Sequence, residues 1–187
     1  MIKLIKKYLS IFSVSGSEEN LAATIKSDIS PFVDSVTIDA MGNLIAYKKG
    51  SDSSKKIMLA AHMDEIGFVV TFIEDNGFIR VAPVGGIRAI ASSYSEVVFE
   101  NGSKGVLVLE DGLVASDVSP KKLVVDIGAK NKKEAAKKVS VGEYLSLTQR
   151  ITRLFGNRYA AKAFDDRVAC AVLVQTAINS KLLKYDT

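Results

Sequence analysis

At Phe68 the chain changes periodicity, and that change constrains its fold more than any other feature. Short runs rich in Val, Ile and Phe follow one another: Phe68 to Ile73, Phe78 to Ala82, Glu96 to Phe99, Val106 to Leu109, Leu123 to Ile127 and Tyr144 to Leu147. Asn76-Gly77, Asn101-Gly102 and Asp111-Gly112 punctuate them. Such dipeptides supply the positive φ that a tight hairpin turn demands, so the runs read as paired strands. One short helix, Lys132 to Lys138, interrupts them. Many short strands with regular turns predict a small barrel or sandwich.

The flanks have a helical period instead. Ile2, Ile5, Leu9 and Phe12 share one face, with Lys3, Lys6 and Lys7 off it. Ser15-Gly16-Ser17-Glu18 matches a capping box ahead of a second helix, whose buried stripe is Leu21, Ala22, Ile25 and Ile29. Val36 and Ile38 alternate as in a half-buried strand, and Met41-Gly42-Asn43 turns the chain into Leu44 to Tyr47. Residues 50–54 read as a polar loop, and Ile57 to Ala61 as a strand covered on both faces. From Ala163 the helical period returns through Val168, Ala171, Val172 and Ile178 to Leu182. The expected architecture is therefore an α/β domain, residues 1–67 and 160–187, with an all-β domain, residues 68–159, inserted in it.

Composition narrows the functional classes. Hydrophobic residues make up 48% and charged residues 25%, as in ordinary globular proteins. A lone cysteine, Cys170, excludes an internal disulfide and suits a reducing cytoplasm. No apolar run approaches the ~20 residues that span a bilayer, so no membrane partner is expected. Met1 to Lys7 reads as the start of an amphipathic helix rather than a signal peptide. Net charge is +4, with lysines at 121, 122, 130, 132, 133, 137 and 138. They read as a solvated surface, because nucleic-acid binders interleave aromatics or carry a known module, and neither is present.

Chemistry concentrates in two places. Ala60-Ala61-His62-Met63-Asp64-Glu65-Ile66-Gly67 holds the only histidine of the chain. In an extended segment residues i and i+2 point the same way, so His62 and Asp64 share a side. Ala163-Phe164-Asp165-Asp166-Arg167 opens the last helix. One Asp there could simply cap free N–H groups; of an adjacent pair, one can cap or pair with Arg167 while the other serves elsewhere. Zinc-like ions take His nitrogen and carboxylate oxygen, paired ions need a bridging carboxylate, and a ligating His gives its other N–H to an acceptor. His62 as ligand, Asp64 as orienting carboxylate and Asp165 as bridge would meet these needs. Asp166 reads as a cap or a partner of Arg167, and Glu65 as a surface or supporting carboxylate. Cys170 reads as a small buried hydrophobe, and Gly85-Gly86 as a turn.

Several stretches together carry a family resemblance. They are Ser13 to Glu19, Asp39 to Ala46, Ala60 to Phe68, Val84-Gly85-Gly86, Val125 to Ala129 and Ala161 to Cys170. The chain resembles the N-terminal half of the M42 metallo-aminopeptidases, the glutamyl and deblocking aminopeptidase group, some of which carry an endoglucanase label. The resemblance implies an α/β/α catalytic domain with an inserted PDZ-like β-barrel used in assembly. It also implies peptide substrates, homo-oligomers (dodecamers in the family) and two divalent ions, Zn or Co, per complete active site. In the family the motif's His ligates one metal, the Asp two residues on supports it, and the first Asp of the doublet bridges both. Carried over, these are His62, Asp64 as the catalytic carboxylate, and Asp165. The segments from Arg88 to Ser95 and from Val114 to Pro120 depart from the family pattern.

The resemblance further implies an adjacent Glu pair, an Asp ligand and a second His downstream, yet the sequence ends at Thr187 with no second histidine. The expectation is a truncated chain, its catalytic α/β domain incomplete, that is inactive by itself and prone to associate through an uncovered sheet edge. Two other readings stand beside it. One is a non-catalytic binding or assembly module. The other is a glycoside hydrolase using Asp64 and Asp165, which is at odds with the absence of Trp and an aromatic content of 7%.

Overall fold

The computed structural model describes residues 1–110, 117–180 and 183–187. In chain order, helices α1 (Ile2–Leu9) and α2 (Glu19–Ile29) precede strands β1 (Ser35–Ile38), β2 (Leu44–Tyr47) and β3 (Asp52–Lys56). Strands β4 (Gly67–Ile73) and β5 (Ile79–Val84), short helix α3 (Ala89–Ser92), and strands β6 (Glu96–Phe99), β7 (Lys104–Leu109) and β8 (Leu123–Asp126) follow. Short helix α4 (Lys132–Ala135) and strand β9 (Tyr144–Leu147) complete the β-rich part. The chain then runs through β10 (Thr152–Arg153), β11 (Tyr159–Ala160), α5 (Phe164–Asn179) and β12 (Tyr185–Asp186). The hairpin expected at Asp111-Gly112 and the helix end expected at Leu182 lie outside the described residues.

Two compact units divide the chain. One comprises Val14–Gly16 and Glu65–Thr148. It is a closed barrel of six strands in the order β4-β5-β8-β7-β6-β9, every neighbour antiparallel and β9 returning to β4. The period-2 pattern builds it: Phe68, Val70, Ile79, Val81, Val97, Phe99, Leu107, Leu123, Val125 and Leu145 alternate inward and form one buried cluster. The alternation slips once. The register shifts between Val70 and Phe72, so Ile73 turns inward and Phe72 is left 50% exposed. Closure removes free strand edges.

Gly67, the last residue of the histidine motif, has a structural reason within this unit. A Cβ there would lie 2.6 Å from the carbonyl oxygen of Leu145, so only glycine lets β4 and β9 approach. Ser15 and Gly16 belong to the same unit, where Ser15 N–H donates to the Glu65 carbonyl and Val14 bridges Glu65. The cap position of α2 falls on Glu18, not on Ser15 as the sequence pattern suggested. Helix α2 starts at Glu19, and Glu18 at its cap position makes no side-chain cap bond.

The other unit comprises Met1–Ser13, Ser17–Asp64 and Gln149–Thr187. Helices α1, α2 and α5 share a core of Ile5, Tyr8, Leu9, Leu21, Ile25, Ile29, Cys170, Ala171 and Val174. The stripe expected on α2 is buried as read. On α1 the helix stops at Leu9, short of Phe12, and Tyr8 is buried instead, its hydroxyl donating to Asp28. β1 pairs antiparallel with β2, β10 with β11, and β12 runs parallel to β3. Ile57 to Ala61 does not form the expected covered strand. The strand is the polar segment before it, and Ile57, Met58 and Leu59 are 47%, 89% and 51% exposed. An apolar run signals burial only where neighbours cover it; the Ile57 N–H still donates to the Asp186 carbonyl at 2.8 Å, and among the described residues no ladder continues past it.

Candidate functional site

His62, Met63 and Asp64 lie in the irregular, extended connection after β3. The i, i+2 geometry places His62 and Asp64 on one side, and His62 Nδ1 is 2.9 Å from Asp64 Oδ1. The other ring nitrogen, Nε2, is 3.1 Å from Oδ1 of Asp165, 103 residues away in sequence. All three candidate residues therefore meet in one cluster within a single unit. The cluster is open: the His62 side chain is 55% exposed and that of Asp165 is 95% exposed.

The start of α5 explains how Asp165 reaches out. Ala163 adopts a left-handed conformation at φ 59°, and the Asp165–Asp166 peptide is cis. Asp165 and Asp166 both have non-helical backbone angles, so neither begins a regular turn. The doublet is a bend that precedes the helix rather than a cap on it. Regular helix begins at Arg167, and the stripe Arg167, Cys170, Ala171 and Val174 faces the core. Arg167, read as a possible partner of Asp166, has a different set of partners. Arg167 is fully buried and donates to the carbonyls of Tyr8, Leu9, Ile11, Ser13 and Met63.

Electrostatics favour positive charge at His62. Partial burial lowers its pKa, but the hydrogen bonds to Asp165 and Asp64, with the charges of Asp64 and Asp166, outweigh it and the net shift is upward. A neutral imidazole carries one N–H and can satisfy one carboxylate only. Facing two, the ring needs a second proton or a cation beside Nε2. This donor set suits a divalent ion in kind. Zinc accepts imidazole nitrogen and carboxylate oxygen at roughly 2.0–2.2 Å, and donors sharing an ion then stand about 3 Å apart. Nδ1 against a carboxylate is the support a ligating His ordinarily has. In number the set is short: among the described residues no group of three or more His, Cys, Asp or Glu could hold an ion.

Glu65 is not a surface carboxylate. It is 7% exposed in the barrel unit, where it accepts from the Ser146 hydroxyl at 3.2 Å. Cys170 is buried as expected, and its thiol, pushed up to about 11 chiefly by burial, donates to the His62 carbonyl at 3.2 Å. Gly85 has φ 82°, as a turn requires. What the sequence reading missed is the Arg167 contact set. Its signal was present: Arg167 occupies the same i, i+3, i+4, i+7 stripe as Cys170, Ala171 and Val174, a core position for a charged residue. No helix among the described residues is long and apolar enough to cross a membrane.

Comparison with known proteins adds the lineage. Residues 42–186 match the model of the M42 glutamyl aminopeptidases. A lysyl aminopeptidase of Pyrococcus furiosus is 33% identical over 94% of this chain and 54% of its own length. A Thermotoga maritima structure described as an endoglucanase superposes with a TM-score of 0.88 at 38% identity, over 98% of this chain and 56% of that one. The TET1 peptidase of Pyrococcus horikoshii, described as assembling into a tetrahedron or a large octahedral shell, superposes with a TM-score of 0.80 at 33% identity, over 94% of this chain and 55% of that one. The chain thus spans about half the length of the proteins it matches. By its sequence match and its structural likeness alike, the chain belongs to the M42 glutamyl aminopeptidase family.

Proposed function

We propose that this chain contributes the N-terminal part of a metal-dependent aminopeptidase centre, with His62 and Asp165 as metal ligands and Asp64 as the carboxylate that orients His62. The observation that carries the reading is the placement of His62 between Asp64 at 2.9 Å and Asp165 at 3.1 Å. Asp64 holds the proton on Nδ1 and leaves the Nε2 lone pair free to donate. Asp165 is held off the helix by its extended backbone and its side chain is 95% exposed, with Oδ1 facing His62 Nε2 and Oδ2 turned to no protein partner among the described residues, as a bridging role needs. Two divalent ions, Zn or Co, would polarise a peptide carbonyl and lower the pKa of water when bound there. The further ligands and the general base come from residues beyond these 187. In this reading the helical unit is part of an α/β/α catalytic domain and the barrel is its PDZ-like insert, used to build a homo-oligomer. Peptides are the substrates, and the cytoplasm is the compartment.

The test is release of an amino acid from aminoacyl anilides in the presence of Zn²⁺ or Co²⁺. The 187-residue chain alone is expected to give no measurable turnover. A fusion carrying the C-terminal half of an M42 relative after Thr187 is expected to turn over, and Asp165→Asn to abolish it. A folded, metal-loaded fusion whose activity survives both His62→Ala and Asp165→Asn would refute the reading.

A further inference from the structure

The segment that carries His62 lacks the usual means of holding a ligand in place. Among the described residues, no strand ladder runs along Ile57 to Asp64. At its start the Ile57 N–H donates to the Asp186 carbonyl at 2.8 Å; nearer the histidine, three hydrogen bonds to two carbonyls hold it instead. Cys170 Sγ donates to the His62 carbonyl at 3.2 Å. Ser13 Oγ and Arg167 Nε donate to the Met63 carbonyl at 3.1 and 3.4 Å. The rest of the Arg167 guanidinium reaches the end of α1 and the loop after it, with Nη1 on Ile11 at 2.6 Å and on Tyr8 at 3.1 Å, and Nη2 on Ser13 at 3.4 Å.

We infer that Arg167, with Cys170 one turn along the same helix, is a positioning residue that sets His62 against Asp165. The inference rests on the metal-site reading above and deepens it. A guanidinium presents its donors in a rigid planar fork. Fully buried among main-chain oxygens, it makes one fixed body of the loop after α1, Met63 and the first turn of α5. Asp165 stands two residues before Arg167, so one short stretch of chain delivers both the carboxylate and the clamp that holds its histidine partner. The His62–Asp165 contact tolerates little slack: at 3.1 Å, a displacement of half an ångström takes it out of hydrogen-bond range. Lysine at 167 would keep the charge but offer a single point in place of the fork.

The sole histidine makes this directly measurable, since ¹⁵N-histidine labelling of the chain gives the spectrum of one imidazole, whose two nitrogens are told apart by their couplings to the ring protons. In the metal-free protein, Asp165→Asn is expected to move the Nε2 resonance. In an Arg167→Lys background the same substitution is expected to move it no further, because the contact is already lost. Val174→Ala, an equally buried change on the same helix, is expected to leave the wild-type response intact. On titration with Zn²⁺ against a chromophoric chelator, Arg167→Lys is expected to weaken binding 10–100-fold, the range for loss of a residue that supports a ligand. If Arg167→Lys does not fold, Cys170→Ala should reproduce the spectral change and Cys170→Ser should restore the wild-type spectrum. A folded Arg167→Lys protein with a full Asp165→Asn response would overturn the inference. So would a Val174→Ala protein that loses that response, a wild-type Nε2 insensitive to Asp165→Asn, or Cys170→Ala and Cys170→Ser spectra both like wild type. Failure of the metal reading shows separately, as a wild-type imidazole spectrum unchanged by Zn²⁺, and the metal-free spectra still decide the positioning role.

Discussion

The hydroxyl of Tyr47 donates to Oδ2 of Asp186 at 2.8 Å, joining β2 to β12 across 139 residues of sequence. Asp186 also accepts from Gly50 N–H at 2.9 Å and from the Ser53 hydroxyl at 3.2 Å. The Gly50 N–H and then Tyr47 hold its carboxyl below the ordinary value of 3.8. A carboxylate with a lowered folded-state pKa stabilises the fold above its unfolded pKa, and that contribution fades as pH falls through the lower, folded value. Urea titrations between neutrality and about pH 2 should therefore show a shallower acid loss in Asp186→Asn than in wild type. Identical acid limbs would contradict this role.

Burial raises the Cys170 thiol to about 11, and its proton is engaged by the His62 carbonyl. Reactivity follows the thiolate. At pH 8 a thiol reagent should label the native chain at the rate of its unfolding and label it at once in urea. Rapid stoichiometric labelling of native protein would place Cys170 elsewhere than in the helical core.

Leu107 and Phe68 are fully buried at the centre of the barrel. Leu107→Ala should destabilise the chain by about 2–5 kcal/mol, the transfer loss plus an unfilled cavity. Phe155 is 100% exposed beside the β10–β11 hairpin, and Phe155→Ser should change stability by no more than roughly 0.5 kcal/mol. Thermal or urea unfolding of the two variants decides whether the barrel core is where the alternation places it.

Asp64 touches His62 through Nδ1 and is 36% exposed at its side chain. As the orienting group it should matter less than the ligand. Asp64→Ala is expected to weaken Zn²⁺ binding about 10–100-fold, whereas His62→Ala should abolish it. Equal losses in calorimetric titration would give Asp64 a direct bond to the ion.

The barrel was legible because period-2 burial and turn dipeptides are local signals, and a closed sheet satisfies every strand they define. Leu123 to Ile127 and Tyr144 to Leu147 were read within a residue of where they form. The bulge after Val70 was not legible, since Phe72 and Ile73 are both apolar and only the register decides which turns inward. Ile57 to Ala61 misled for the converse reason: strand propensity is local, but coverage is tertiary. The meeting of His62 with Asp165 could be argued only by pairing motifs 103 residues apart. Arg167 was read only as a partner for the acid beside it, because charge beside charge suggests a salt bridge, whereas its helical stripe assigned it to the core.

Anomalous diffraction from zinc-soaked crystals tests the central claim most directly. A zinc peak within roughly 2.0–2.2 Å of both His62 Nε2 and an Asp165 carboxylate oxygen is the expected result. Zinc bound only elsewhere, with the imidazole still facing Asp165 through a proton, would contradict it.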